Sequence, residues 1–81
     1  MNRQRVLLFA RYADLFGSPD VHAVIPEHAT VADLIAAVRT IPGGELLPVQ
    51  PMVAVNRRHA EVSTPIRAGD EVALLPPLAG G

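Results

Sequence analysis

Two short runs, Val6-Leu7-Leu8-Phe9 near the start and Val72-Ala73-Leu74-Leu75 near the end, are apolar at odd and even positions alike. Successive strand residues point to opposite faces of a sheet. Each run therefore reads as a central strand that needs cover on both faces. The sequence between them offers one substantial amphipathic helix. Thr30 stands as its cap, and Val31, Leu34, Ile35 and Val38 recur at i, i+3, i+4 and i+7 to make one apolar stripe. Asp33 places negative charge in the first turn, and Pro42-Gly43-Gly44 stops the helix after about ten residues. One helix covers one face, so Leu7 and Phe9 cannot share it with Val6 and Leu8. Either the segment 41–52 wraps the second face, or that face is an exposed apolar patch that binds a partner.

The other elements follow from local chemistry. Val6 to Ala10 predicts the first strand, and Arg11 to Phe16 one or two helical turns closed by Gly17 as a left-handed cap. Ser18-Pro19-Asp20 is a turn before a second strand, Val21 to Ile25, ended by Pro26. Residues 45–51 are irregular, with prolines at 48 and 51. Met52 to Val55 and Arg58 to Val62 form a hairpin turned at Asn56-Arg57, where the Asn tolerates positive φ. Turns at 63–65 and 68–70 lead to the final strand, Glu71 to Leu75. The order β-β-α-β-β-β predicts an α+β fold, a mixed sheet of about five strands grasping one main helix. Eighty-one residues allow a single domain, 1–81, with a marginal core.

Composition removes most function classes. With no cysteine there is no disulfide framework, thiolate metal site or cysteine nucleophile. His22, His28 and His59 lack metal-ligand spacing, so no metal is expected. The net charge is −1 and the arginines are scattered, which predicts no nucleic-acid partner. The apolar run after Arg5 is too short for a signal segment or a membrane span, so a cytoplasmic chain with no membrane partner is expected. Pro42-Gly43-Gly44 lacks the Lys-Ser/Thr of a phosphate loop, and Ser63-Thr64 has no local histidine–carboxylate arrangement. Asp70-Glu71 reads as a turn residue followed by a solvated strand start. Arg57-Arg58 is either solvated or meets an acidic partner. All seven basic residues other than histidine are arginine, a bias that codon usage accounts for; its chemical consequence is that, apart from the N-terminal amine, no amine could capture an activated carboxyl group.

What remains is the ending, Pro76-Pro77-Leu78-Ala79-Gly80-Gly81. Without a Cβ, a Gly-Gly segment is thin enough to enter a channel closed to other residues. The α-carboxylate of Gly81 is the potentially reactive group that stands clear of the expected fold. A carboxylate is a poor electrophile and must be activated, for instance as a mixed anhydride with a nucleotide, by a second protein.

The chain resembles the small subunit of molybdopterin synthase, the MoaD group of ubiquitin-like sulfur carriers. The likeness lies in Leu7-Leu8-Phe9-Ala10-Arg11 with Ala13-Asp14-Leu15-Phe16-Gly17, in Thr30-Val31-Ala32-Asp33-Leu34, in Ala54-Val55-Asn56, and most specifically in Gly69 to Gly81, where a Gly-Asp-Glu-Val strand runs into Pro-Pro-x-x-Gly-Gly. The resemblance implies a β-grasp fold. It also implies a cycle in which an E1-like enzyme uses ATP to adenylate Gly81, and a sulfurtransferase persulfide displaces AMP to leave a thiocarboxylate. The tail (Leu78, Ala79, Gly80, Gly81) would then enter the large subunit of molybdopterin synthase, in a heterotetramer, and give its sulfur to the pterin precursor. By matching positions, Phe9, His59, Leu75, Pro76 and Pro77 would contact the partner. Members of the group often carry aromatics at Leu74-Leu75 and an apolar residue at His59, so the contact implied here is smaller and more polar. Two alternatives share the ending: a thiamin-pathway sulfur carrier or ubiquitin-like modifier, and a β-grasp interaction module with an inert tail.

Overall fold

The computed structural model describes residues 1–77. Strand β1 (Asn2–Leu8) leads through the short helix α1 (Arg11–Phe16) to β2 (Asp20–Ile25), and helix α2 (Val31–Arg39) follows. A 3-10 turn at Gly44–Leu46 precedes β3 (Met52–Val55), β4 (Arg58–Ala60) and β5 (Val72–Leu75). The sheet order is β2-β1-β5-β3-β4. β1 and β5 are parallel neighbours at its centre, and every other pairing is antiparallel. The two apolar runs are thus the central strands, as their composition required. With α2 laid across one face, this is the ubiquitin-like β-grasp.

Alternation decides the core. Val6 and Leu8, Ala23 and Ile25, Val53, and Val72 and Leu74 all turn toward α2, where they are buried against Val31, Leu34, Ile35 and Val38. The start of α2 is fixed by Asp33, whose carboxylate accepts from the Thr30 N–H at 2.9 Å and from the Thr30 hydroxyl at 3.2 Å. A negative group there also meets the positive end of the helix dipole. Gly17 closes α1 at φ 67°, the left-handed conformation that glycine adopts without a Cβ penalty.

Three expectations are corrected. β1 begins at Asn2 rather than Val6, because Asn2 to Arg5 pair with Ile25 to His22 of β2. Hydrophobic pattern cannot detect polar residues held in a strand by ladder hydrogen bonds. β1 also ends at Leu8, since Ala10 turns the chain at φ 50°, ψ −131°. β4 and β5 are shorter than predicted, stopping at Ala60 and starting at Val72.

The segment 41–52 packs beside the helices, not over the second face. Leu47 joins the core, and the Arg39 guanidinium donates to the carbonyls of Leu47 and Pro48. Gly44 is buried against the end of α2, where an added Cβ would collide with the Val38 carbonyl and lie 2.9 Å from Arg39 Cα. Backbone cannot yield as a flexible side chain would. Gly44→Ala is therefore expected to destabilise the protein by about 1–3 kcal/mol, read as a lower urea midpoint at unchanged slope.

A polar lock joins the hairpin tip to the turn before β5. Asn56 and Arg57 adopt φ 53° and 68°, the paired positive values of a tight hairpin turn. The Asn56 amide donates to Asp70 at 3.0 Å, and its carbonyl oxygen accepts from the Glu71 N–H at 2.9 Å. Asp70 also accepts from the Arg67 N–H at 2.8 Å. That backbone bond, followed by the one from Asn56, holds the Asp70 carboxyl below its ordinary value. The folded chain thus favours the charged form more than the unfolded chain does. Its contribution is complete above the ordinary carboxylate value and fades as pH falls through the lower folded one. Asp70→Asn is expected to flatten the acid limb of stability, measured by urea unfolding between about pH 2 and pH 5.

Candidate docking face and tail base

The face of the sheet opposite α2 carries no element of the described chain. Register places Leu7, Ala73, Ala54 and His59 in one row across β1, β5, β3 and β4. Leu75 and Met52 pair in the next row, toward the end where the chain leaves β5. Phe9 follows β1 with the parity of Leu7 and is 47% exposed; Met52 is 42% exposed. The small Ala73 side chain is buried in the middle, Leu7 and Leu75 are half-buried, and His59 is exposed. Fully burying a leucine, phenylalanine or methionine side chain is worth about 1.5–3 kcal/mol, and side chains about half exposed, as these are, leave roughly half of that unrealised. Among the described residues, then, the second face is left as an open apolar patch and not wrapped by 41–52.

The sequence-predicted residues fall as follows. Leu75 and His59 share this face, and Phe9 stands at the same end, just past the last residue of β1. Pro76 is half-buried and Pro77 exposed, just past the last paired residue of β5. Leu78, Ala79, Gly80 and Gly81 lie outside the described residues. Arg57 faces Glu71 at 3.8 Å, a long and exposed pair worth little. The turn reading of Asp70 matches its hydrogen bonds, which are spent on backbone and amide partners.

Sequence reasoning missed a groove beside the tail base. It has a volume of about 450 Å³ and is lined by Tyr12, Pro51, Met52, His59, Val62 and Pro77, among others. Tyr12 is buried, and its hydroxyl has no hydrogen-bond partner among the described residues. The spacing of Tyr12, Leu15 and Phe16 at i, i+3 and i+4 was the available sign that Tyr12 turns inward from α1. Met52 could have been found by parity with Ala54. At the same corner Ala10 holds a positive φ that a non-glycine residue adopts at a cost of about 1–3 kcal/mol. This turn ends β1 and leaves Phe9 at the surface. The described residues thus present an apolar face next to Pro76 and Pro77; no group of three or more His, Asp or Glu among them could hold a metal ion.

The model of the ThiS family matches residues 6–81. The chain belongs to the ThiS family. Within it, this chain is 32% identical over 78 residues to the molybdopterin synthase sulfur carrier subunit of Arabidopsis thaliana, an overlap of 95% of this chain and 81% of that one. Among solved structures, SAMP1 from Haloferax volcanii superposes with a TM-score of 0.82 at 29% identity, over 99% of this chain and 100% of that one. A putative molybdopterin converting factor subunit 1 from Pyrococcus furiosus gives a TM-score of 0.82 at 25% identity, over 96% and 100% of the two chains. No helix among the described residues is long and apolar enough to cross a membrane.

Proposed function

We propose that this ThiS-family chain is the sulfur carrier subunit of a molybdopterin synthase, with the Gly81 carboxylate as its working group. The observation that carries the reading is the uncovered apolar face on β5, β3 and β1, since β5 leads directly into the Pro76-Pro77 base of the tail. A partner that covers Phe9, Leu75 and His59 is thereby positioned to receive the residues that follow. The identity with the Arabidopsis sulfur carrier subunit over nearly the whole chain supports the same reading. Four residues beyond Pro77 reach about 13 Å when extended, enough to pass through a protein wall into a neighbouring active site.

In this cycle an E1-like enzyme joins the Gly81 carboxylate to AMP from ATP, with pyrophosphate as leaving group. A sulfurtransferase persulfide then attacks the acyl carbon and expels AMP. A thiol then attacks the enzyme-side sulfur of the resulting acyl disulfide, taking that sulfur into a new disulfide and freeing a terminal thiocarboxylate. The tail delivers this sulfur to a pterin precursor inside the large subunit and returns to the carboxylate. ATP is consumed by the activating enzyme and is not a resident cofactor of this chain. The likeness to SAMP1 favours one second reading, a ubiquitin-like modifier whose activated glycine goes to a protein amine instead.

The test is intact mass spectrometry after incubation with an E1-like enzyme, ATP and a sulfur donor. The expected product has one oxygen replaced by sulfur. If an activating enzyme that works on another carrier yields no sulfur-bearing form of this chain, the carrier reading fails. An amide to a second protein in place of sulfur transfer would favour the modifier.

A further inference from the structure

Among the described residues one buried side-chain polar atom stands without a partner, the hydroxyl of Tyr12. Tyr12 is 1% exposed, so water does not serve that hydroxyl from the surface. Native proteins rarely bury a hydroxyl unpaired, because the lost hydration goes uncompensated. Tyr12 also lines the groove formed where α1, the segment before β3 and the end of β4 meet. A group entering that groove from another molecule is therefore placed to supply the missing hydrogen bond.

The walls of the groove define the rest of that group. Pro48, Pro51 and Pro77 contribute three rings, beside Met52 and Val62. Met52 and Val62 are each 42% exposed, which leaves apolar surface there to be covered. Proline and aromatic rings pack together, the pairing by which Pro-rich segments bind aromatic grooves, and a thioether sulfur adds a favourable contact to a ring. The entering body is thus aromatic. Its tip is neutral, since a cation beside Tyr12 would lose its water and meet a hydroxyl in place of an anion. Glu61, the one carboxylate that lines the groove, is exposed. Tyrosine joins an aromatic body to a neutral hydrogen-bonding tip, and it is enriched where proteins meet.

Met52 and His59 belong to both the groove and the open face of the sheet, so the two surfaces are continuous. We propose that the groove is an anchor pocket for a tyrosine side chain of a protein docked on the open face, with its phenol paired to the Tyr12 hydroxyl. The pocket is independent of the role of Gly81, and its test needs neither an activating enzyme nor sulfur.

The probes are N-acetyl-tyrosinamide and N-acetyl-phenylalaninamide, which differ by one hydroxyl. Each is titrated into the full chain and into Tyr12→Phe, and binding is followed by amide chemical shifts in NMR spectra. The wild type is expected to show saturable shifts at Ala60, Glu61 and Val62 at about millimolar probe. It should prefer the tyrosine probe by about fivefold, the effect of one ordinary hydrogen bond. Tyr12→Phe is expected to bind the two probes equally. Its urea midpoint should match or exceed that of the wild type, because the substitution removes a hydroxyl that has no partner in the chain.

The proposal is overturned if these residues show no saturable shift, if the wild type binds both probes alike, or if the preference survives in Tyr12→Phe. Tighter binding of N-acetyl-argininamide than of the tyrosine probe would overturn it as well. A clearly lower urea midpoint for Tyr12→Phe would show that the hydroxyl is already paired within the chain and would refute the pocket. Shifts at the same residues on concentrating the protein alone would assign the groove to a second copy instead.

Discussion

Deleting Gly81 is expected to abolish thiocarboxylate formation while leaving the fold intact. The residue lies beyond the last paired position of β5, Leu75, and beyond the Pro76-Pro77 base. Its loss should shift stability by no more than about 0.5 kcal/mol, the range of surface changes away from structural features. The chemistry responds very differently. Shortening the tail by one residue withdraws its carboxylate by about 3.5 Å, and misplacement of a reacting group by even 1 Å can cost about 100-fold in rate. The paired measurements are urea unfolding and intact mass after incubation with the activating system. A truncated chain that still acquires sulfur would rule out Gly81 as the carrier position.

The second large effect separates neighbours on one strand. Leu74→Ala is expected to cost about 2–5 kcal/mol, because Leu74 is fully buried under α2 and its removal leaves a cavity. A domain of this size has roughly 4–12 kcal/mol of total stability, so this change alone brings the chain close to unfolding. Leu75→Asp, on the open face, is expected to leave the fold standing, with a loss of about 1–2 kcal/mol because Leu75 is only half-buried. In exchange it places a charge on the apolar patch beside Pro76 and should weaken association with the large subunit by at least about tenfold, or 1.4 kcal/mol. Urea melts and titration of the large subunit measure the two effects. Equal destabilisation by both substitutions would show that the second face is not open. Full binding by Leu75→Asp would show that the partner docks elsewhere.

These contrasts mark how far the sequence could be read. The helix α2 was legible because its stripe, its Asp33 first turn and its Pro-Gly-Gly stop all agree. The hairpin turn was legible because Asn56 suits positive φ. Tyr12 was only weakly so: its i, i+3, i+4 spacing with Leu15 and Phe16 points inward, but six residues make fewer than two helical turns. Gly44 was not distinguishable from Gly43 as a close-packing position, since both read as helix breakers. The docking candidates Phe9, His59 and Leu75 came from the family resemblance and not from physical pattern. Among them only an apolar excess over what one helix can cover was visible in composition.

The sequence by itself determined that two strands must be central, that one helix must cover one face, and that no thiol or lysine is available for chemistry. Those are properties of residue type and period, which survive without knowing what lies beside what. Only the tertiary structure decided which side the 41–52 segment would take, and so whether the second face stayed open. It also decided that β1 and β5 run parallel, which sets Asn2 and the Pro76-Pro77 segment at opposite ends of the sheet. Strand direction and loop placement depend on contacts between residues far apart in sequence, and no local pattern encodes them.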